Sequence, residues 1–258
     1  MTKTVLVVHA HPDRQSLTHQ LATTAKRSLA GLGHRVLETD LYAARWKAVF
    51  DADDFPSRVT PERLSFVAES GHAFTSGTQT ADVAAEQAKL LAADAVILQF
   101  PLWWFGFPAV LKGWVDRVFA YGFAYGYRGA GNTYRYGAGA LAGKRAMLSI
   151  TVGGPAADYG PRGINGTLEH LLFPITHGTL FFPGMDVLPT FAVYGAGRLD
   201  EAGAVAAEHA LAGRIAGLFS DPPIPYRRQN TPDYPDRHTL APEVAPGITG
   251  IPAHIADH

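Results

Sequence analysis

Lys3 to His9 (KTVLVVH) is a continuous apolar run, the pattern of a strand buried on both faces. A short polar loop follows. Leu17, Leu21, Ala25 and Leu29 then recur at four-residue spacing and form one apolar helix stripe, which Gly31 and Gly33 end. Arg35 to Thr39 reads as a second strand. Residues 43–78 are less regular and too long for a plain connection, so they are expected to be functional or to carry short helices of their own. Ala81 to Ala93 is alanine-rich and helical by propensity. Ala95 to Phe100 is a third buried strand, Val110 to Tyr121 a helix, and 122–142 an excursion rich in Gly and Tyr. Arg145 to Val152 is a fourth strand. Thr167 to His177 reads as a helix bent near Pro174. Leu180 to Phe182 and Val187 to Val193 are strand-like, and Leu199 to Phe219 is a last helix.

Alternating buried strands and helices predict an α/β fold, a doubly wound parallel sheet with helices on both faces. Ligands of such sheets sit beyond the carboxyl ends of the strands, so the residues just after each strand carry the information. Residues 220–258 hold eight of the eighteen prolines and show little periodicity. They predict an extended C-terminal tail appended to a 1–219 domain.

Composition narrows the classes. The 258 residues carry a net charge of −1, 47% are apolar and 17% are charged. Near-neutral charge gives no drive toward nucleic acid or an anionic membrane surface. The absence of cysteine excludes disulfides, thiolate metal sites and a cysteine nucleophile. No apolar run is long enough for a membrane span, and the N-terminus shows no signal-peptide pattern, so a cytoplasmic protein is expected.

The first strand is followed by His9-Ala10-His11-Pro12-Asp13-Arg14-Gln15-Ser16-Leu17-Thr18, with neither a G-x-G-x-x-G nor a Walker pattern. Three readings stand. The helix N-terminus, with Ser16 and Thr18, suits a phosphate. His9-x-His11 with Asp13 suits a metal. Ser16 as an ordinary helix cap suits neither. After the third strand, Pro101-Leu102-Trp103-Trp104-Phe105-Gly106-Phe107-Pro108 offers a stiff aromatic wall for a planar ligand, or plain core. After the fourth, Thr151-Val152-Gly153-Gly154-Pro155 offers backbone donors in a close-approach turn, with Tyr159 and Asn165 behind it. Tyr125 and Tyr127 sit on the excursion. Together these describe a site for a phosphate-bearing planar cofactor, for which a flavin fits better than a nicotinamide nucleotide.

These stretches resemble the flavodoxin-like NAD(P)H:quinone oxidoreductase family, the DT-diaphorase type and its bacterial homologues. The likeness rests on VLVVHAHPDRQSL (5–17), LETDLYA (37–43), the block from Ala84 to Phe119, FAYGY (123–127) and LSITVGG…Y…GING (148–166), over roughly residues 3–220. The run P-L-x-W-x-x-x-P-A-x-L-K-G-W-x-D-R-V-F is the specific part. The resemblance implies a flavodoxin-like five-stranded parallel sheet and a homodimer with FAD, less readily FMN, at sites shared between subunits. It places His11, Leu17 and Thr18 at the phosphates, and Pro101, Leu102, Trp103, Trp104 and Phe105 along the isoalloxazine. Thr151, Gly153, Gly154 and Tyr159 fall at its pyrimidine edge. Tyr125 and Tyr127 of the partner chain, with Phe182 and Trp104, frame the substrate.

The implied reaction is ping-pong, with hydride passing from NAD(P)H through flavin N5 to a quinone. Gly153, Gly154, Tyr159 and Asn165 would offset the charge left near N1 and O2. Asn165 stands where mammalian-type members carry histidine, so hydrogen bonding alone, or a neighbour such as Arg162, would do that work here. Trp103 replaces a glutamine. Two other classes stay open: a flavin-bearing regulatory subunit or electron carrier, and a zinc-dependent deacetylase suggested by Ala10-His11-Pro12-Asp13. The deacetylase pattern breaks at Arg14 and Gln15, and no bound metal is expected.

Overall fold

Alternate residues of the central strands point to opposite sides of one sheet, and each side buries its own apolar cluster. Leu6, Val8, Val96, Leu98, Phe100, Leu148 and Ile150 face one cluster, while Val5, Val7, Ala95, Ile97 and Met147 face the other. The computed structural model describes residues 1–126 and 133–256. The strands are β1 (Thr4–His9), β2 (Arg35–Asp40), β3 (Ala95–Pro101), β4 (Arg145–Thr151), β5 (Asp186–Val187) and β6 (Phe191–Val193). All pairings are parallel, in the order β2-β1-β3-β4-β5, with β6 also against β4. Helices α1 (Leu17–Gly31) and α6 (Glu201–Ala216) cover one face. Helices α3 (Ala81–Ala92), α4 (Ala109–Val118) and α5 (Leu168–Ile175) cover the other, and α2 (Phe66–Ser76) packs Phe74 against the same side.

Two expectations need correction. The fifth strand is split: Ala146 pairs with Val187 and Ser149 with Phe191, so four residues on the edge strand match three on β4. Pro189 lies in that gap and has no N–H for a ladder bond, so the extra residue bulges at the edge strand, where the Pro189 carbonyl accepts from Arg214 at 3.0 Å instead. Leu180 to Phe182 is no strand. After Pro174 interrupts α5, Thr176–Phe181 continues as a wider π-type turn, closed by Phe182 N–H donating to the His177 carbonyl at 3.0 Å. An apolar triplet alone does not separate these outcomes. Residues 43–78 carry a 3₁₀ turn, Ala52–Asp54, as well as α2.

The K-G-W-x-D-R run of α4 is a clamp for that irregular stretch. A Cβ on Gly113 would stand 2.0 Å from the Ala48 carbonyl oxygen, so only glycine lets the loop lie so close. Trp114 is buried and donates its Nε1–H to Glu86 at 2.9 Å. Arg117 is buried against Asp54 at 2.7 Å and Asp82 at 2.7 Å, with Trp46 stacked 4.5 Å from its guanidinium.

The segment after α6 folds back onto the body. Tyr226 is buried in the larger cluster and shares a 2.7 Å hydrogen bond with Thr176. Beside it the His177 ring is stacked between Phe173 (4.5 Å) and Tyr136 (4.7 Å). Burial, reinforced by nearby His254, pushes the His177 imidazole down to about 4. An unfolded histidine titrates near ~6.5. Between these values the unfolded chain binds more protons, so stability falls as pH drops through the window. Allowing for partial exposure, His177→Phe is expected to remove roughly 1–2 kcal/mol of the stability lost between pH 7 and pH 4.5. Urea midpoints at the two pH values check this. Parallel losses in both proteins would show that His177 carries no such linkage.

Candidate functional site

The first, third and fourth strand-end loops are stitched together at the carboxyl edge of the sheet. Ser16 caps α1, its hydroxyl accepting the His19 N–H, and no acidic side chain occupies the first turn. Leu17 turns its side chain toward the core and Thr18 spends its hydroxyl on Thr151 at 2.7 Å. The N–H groups of Leu17 and Thr18 have no protein acceptor among the described residues. This end of α1 therefore offers backbone donors and a positive dipole end, the elements of an anion seat. The Thr18–Thr151 pair joins two loops far apart in sequence, and both hydroxyls are buried.

The His11 ring lies 5.9 Å from Trp103, and its Nδ1 accepts the Asp13 N–H at 3.1 Å. The structure does not assemble a His9-x-His11 metal pair. His9 instead faces His19 and Asp40, their ligating atoms lying within 4.8 Å of one another, and its Nε2 is already engaged by Glu38 at 2.9 Å. Burial and the neighbouring His9 hold the His19 imidazole below its ordinary value.

The third loop is the unusual element. Pro101 ends β3, and Leu102 N–H donates to the Thr151 carbonyl at 2.8 Å, which fixes the loop to the fourth strand's end. Trp103 and Gly106 then form a tight bridge whose two central residues, Trp104 and Phe105, have φ of 49° and 60°. Gly106 is the residue of this loop that takes up left-handed backbone most readily, but the left-handed positions fall on the two aromatics. Each such residue costs ~1–2 kcal/mol relative to ordinary backbone. That cost presents rings to solvent: Trp103 is 41%, Trp104 97% and Phe105 45% exposed. An apolar wall held open against its own conformational preference marks a surface meant to be covered.

The fourth loop, tied to it through the Leu102–Thr151 bond, presents Gly153 and Gly154. A Cβ at Gly153 would meet nothing within 4 Å, and its φ is not in the left-handed region. Neither backbone nor packing demands glycine there, and the exposed backbone is open to close approach by a ligand, a candidate cradle. Gly154 is different: a Cβ would press on Tyr159 at 3.2 Å, and its carbonyl accepts the Gly195 N–H at 2.9 Å. Tyr159 closes the short 3₁₀ turn Ala156–Tyr159 and lies 5.6 Å from Tyr194. Asn165 is held beside it by a backbone bond to the Asp158 carbonyl at 3.0 Å. Tyr194 was missed in the sequence. It directly follows β6, which ends at Val193 as the expected strand does, so the strand-end rule applied to that strand points to it. Burial, with nearby Glu169, raises the Tyr194 phenol above its ordinary value.

Tyr125 and Phe182 line a separate cavity of about 290 Å³ with Phe50 and Phe119, and the aromatic turn is not among its walls. Burial raises the Tyr125 phenol. Tyr127 lies outside the described residues. The structure thus brings together the anion seat, the ring wall and the glycine cradle, and sets the Tyr125–Phe182 pair apart from them.

Replacing Trp104 by Asn is expected to stabilise the ligand-free protein by ~1 kcal/mol, because asparagine adopts left-handed backbone readily and almost no burial is lost. Thermal melting checks this, and a drop in midpoint would mean that the turn is not strained.

The residues present fit a flavin: free backbone donors at a helix N-terminus, a flat aromatic wall, and a cradle without side chains. Comparison with known proteins shows the family. A family model described as flavodoxin-like fold matches residues 3–214. A ribosyldihydronicotinamide dehydrogenase-like protein of Penicillium crustosum is 45% identical over 233 residues, covering 89% of this chain and 86% of that protein. The NAD(P)H dehydrogenase [quinone] 1 of Rattus norvegicus is 36% identical over 220 residues, covering 85% and 78%. A crystal structure of a Klebsiella pneumoniae protein, named as a candidate quinone reductase, shares 49% identity and superposes with a TM-score of 0.95, covering 99% of this chain and 100% of that one.

Proposed function

Because the chain belongs to the flavodoxin-like NAD(P)H:quinone oxidoreductase family, we propose that it is a flavin-dependent quinone reductase using NAD(P)H. The observation that carries this reading is the strained, solvent-facing Trp104–Phe105 turn, tied through Leu102 and Thr151 to the loop that exposes the Gly153 backbone. A bound flavin, FAD by family analogy, would supply two-electron hydride exchange between NAD(P)H and a quinone in a ping-pong cycle.

The chain's own residues do the rest. Leu17 and Thr18 N–H groups and the α1 dipole hold the phosphates, with His11 beside them. Leu102 to Phe105 fix the plane of the ring and exclude water from one side. Gly153 and Gly154 N–H groups, with Tyr159 and Asn165, would donate to the edge of the ring and offset negative charge there. Trp104 and a partner subunit's tyrosines and Phe182 enclose the acceptor in a homodimer. That arrangement accounts for a Tyr125–Phe182 pair lying away from the chain's own ring wall. Among the described residues no helix is long and apolar enough to cross a membrane.

The test is anaerobic. Flavin-loaded protein should bleach on addition of NADPH and recover its colour on addition of a benzoquinone. Bleaching without recovery would instead favour an electron carrier or regulatory subunit.

A further inference from the structure

A second cavity, of about 320 Å³, lies between α5 and the chain that follows α6. Its walls include Arg135, Arg227 and Arg237, the rings of Tyr136, His177 and Tyr234, and no carboxylate. Arg227 is neutralised by Asp233 at 2.9 Å. The other two guanidinium groups have no acidic partner among the described residues. Arg135 stands 5.5 Å from the Tyr136 ring with its Nε buried and unbonded, and Arg237 is exposed. The nearby Asp236 carboxylate is spent on the backbone N–H groups of His238 and Thr239, both at 2.7 Å.

Two uncompensated arginines around a concave space form a seat for an anion, and the planar fork of each suits a carboxylate. The walls suit a ring. Tyr136 and His177 are stacked at 4.7 Å, and Tyr234 is anchored by a 2.8 Å bond to His254. His177 is neutral near pH 7, so it adds a stacking surface rather than charge. Tyr136 and Arg237 both carry left-handed backbone, with φ of 47° and 65°, the kind of strain that gathers at ligand clamps. The volume matches a one- or two-ring molecule.

We infer that this cavity binds an aromatic carboxylate, at a site distinct from the flavin cradle. The Tyr136 ring lies 5.1 Å from that of Phe182, so an occupant would touch the proposed acceptor wall through a single aromatic.

Calorimetric titration of the flavin-loaded protein with 1-naphthoate, and with its neutral amide as control, tests this without any turnover. One naphthoate per chain is expected, with the amide at least about tenfold weaker, the loss of one charge-assisted hydrogen bond. Arg237→Gln alters an exposed side chain and should fold normally. It and Arg135→Gln should each weaken naphthoate about tenfold while leaving the flavin spectrum unchanged. Equal binding of acid and amide, or unaltered binding by both variants, would overturn the assignment. So would displacement of naphthoate by inorganic phosphate at similar affinity, because the site would then read charge alone. A chain that binds naphthoate but fails to reduce quinones would leave this inference standing and remove the functional one.

Discussion

Gly153→Val is expected to leave the flavin-free protein folded and to weaken flavin binding about 100-fold. Both halves follow from the same observation. A Cβ at this position meets nothing within 4 Å, and its backbone suits an ordinary L-residue. Substitution at such a site is neutral or slightly stabilising, by up to ~1 kcal/mol, because the unfolded chain loses freedom. With flavin bound, the new branched side chain would occupy the space where the ring edge meets the Gly153 and Gly154 N–H groups. Losing two hydrogen bonds of ~1–1.5 kcal/mol each gives the stated factor. Thermal melting of the apoprotein and fluorescence titration with FAD read the two halves separately. Unchanged flavin affinity would place the ring elsewhere.

Arg117→Met is expected to cost about 3–5 kcal/mol, the usual penalty for removing one member of a buried ion pair. The guanidinium bonds Asp54, Asp82 and the Lys47 carbonyl at 2.7, 2.7 and 3.2 Å, and stacks on Trp46. Without it the buried Asp54 keeps Lys47, at 3.3 Å, as its one cation among the described residues, beside the Asp51 N–H that it accepts at 3.0 Å. Neutralising that residue as well, in Arg117→Met with Asp54→Asn, should recover at least ~1 kcal/mol. The consequence reaches the site because Phe50, in the clamped loop, lines the Tyr125–Phe182 cavity. Urea denaturation measures the effect, and a loss below ~1 kcal/mol would mean that the loop holds its place by other contacts.

How much of this was legible in the sequence depended on whether one local signal decided the outcome. The strands from Thr4, Ala95 and Arg145 read directly because they are buried on both faces and hence apolar throughout. The edge strand did not, because Pro189 breaks its ladder at a bulge. Leu180 to Phe182 misled because three apolar residues suit a strand and a wide helical turn equally, and the deciding event was Pro174 upstream. The strand-end rule picked out the three loops that the structure bonds together, since it depends only on topology. It could not show that Trp104 and Phe105 carry the left-handed backbone, because bulky residues are disfavoured there and Gly106 lies next door. Nor could it show Thr18 bonded to Thr151, a contact that exists only once β1 and β4 stand in the same sheet. Of the long specific run from Pro101 to Phe119, the P-L-x-W part forms the aromatic turn, while the K-G-W-x-D-R part holds the 43–78 stretch in place.

The central claim is that three loops at one sheet edge form a cradle for a flavin ring. The most direct test is to incubate the purified protein with FAD, pass it through a desalting column and record its absorption spectrum with the protein concentration. The account predicts a yellow protein carrying one flavin per chain. A colourless protein whose tryptophan fluorescence is untouched by added FAD or FMN would contradict it.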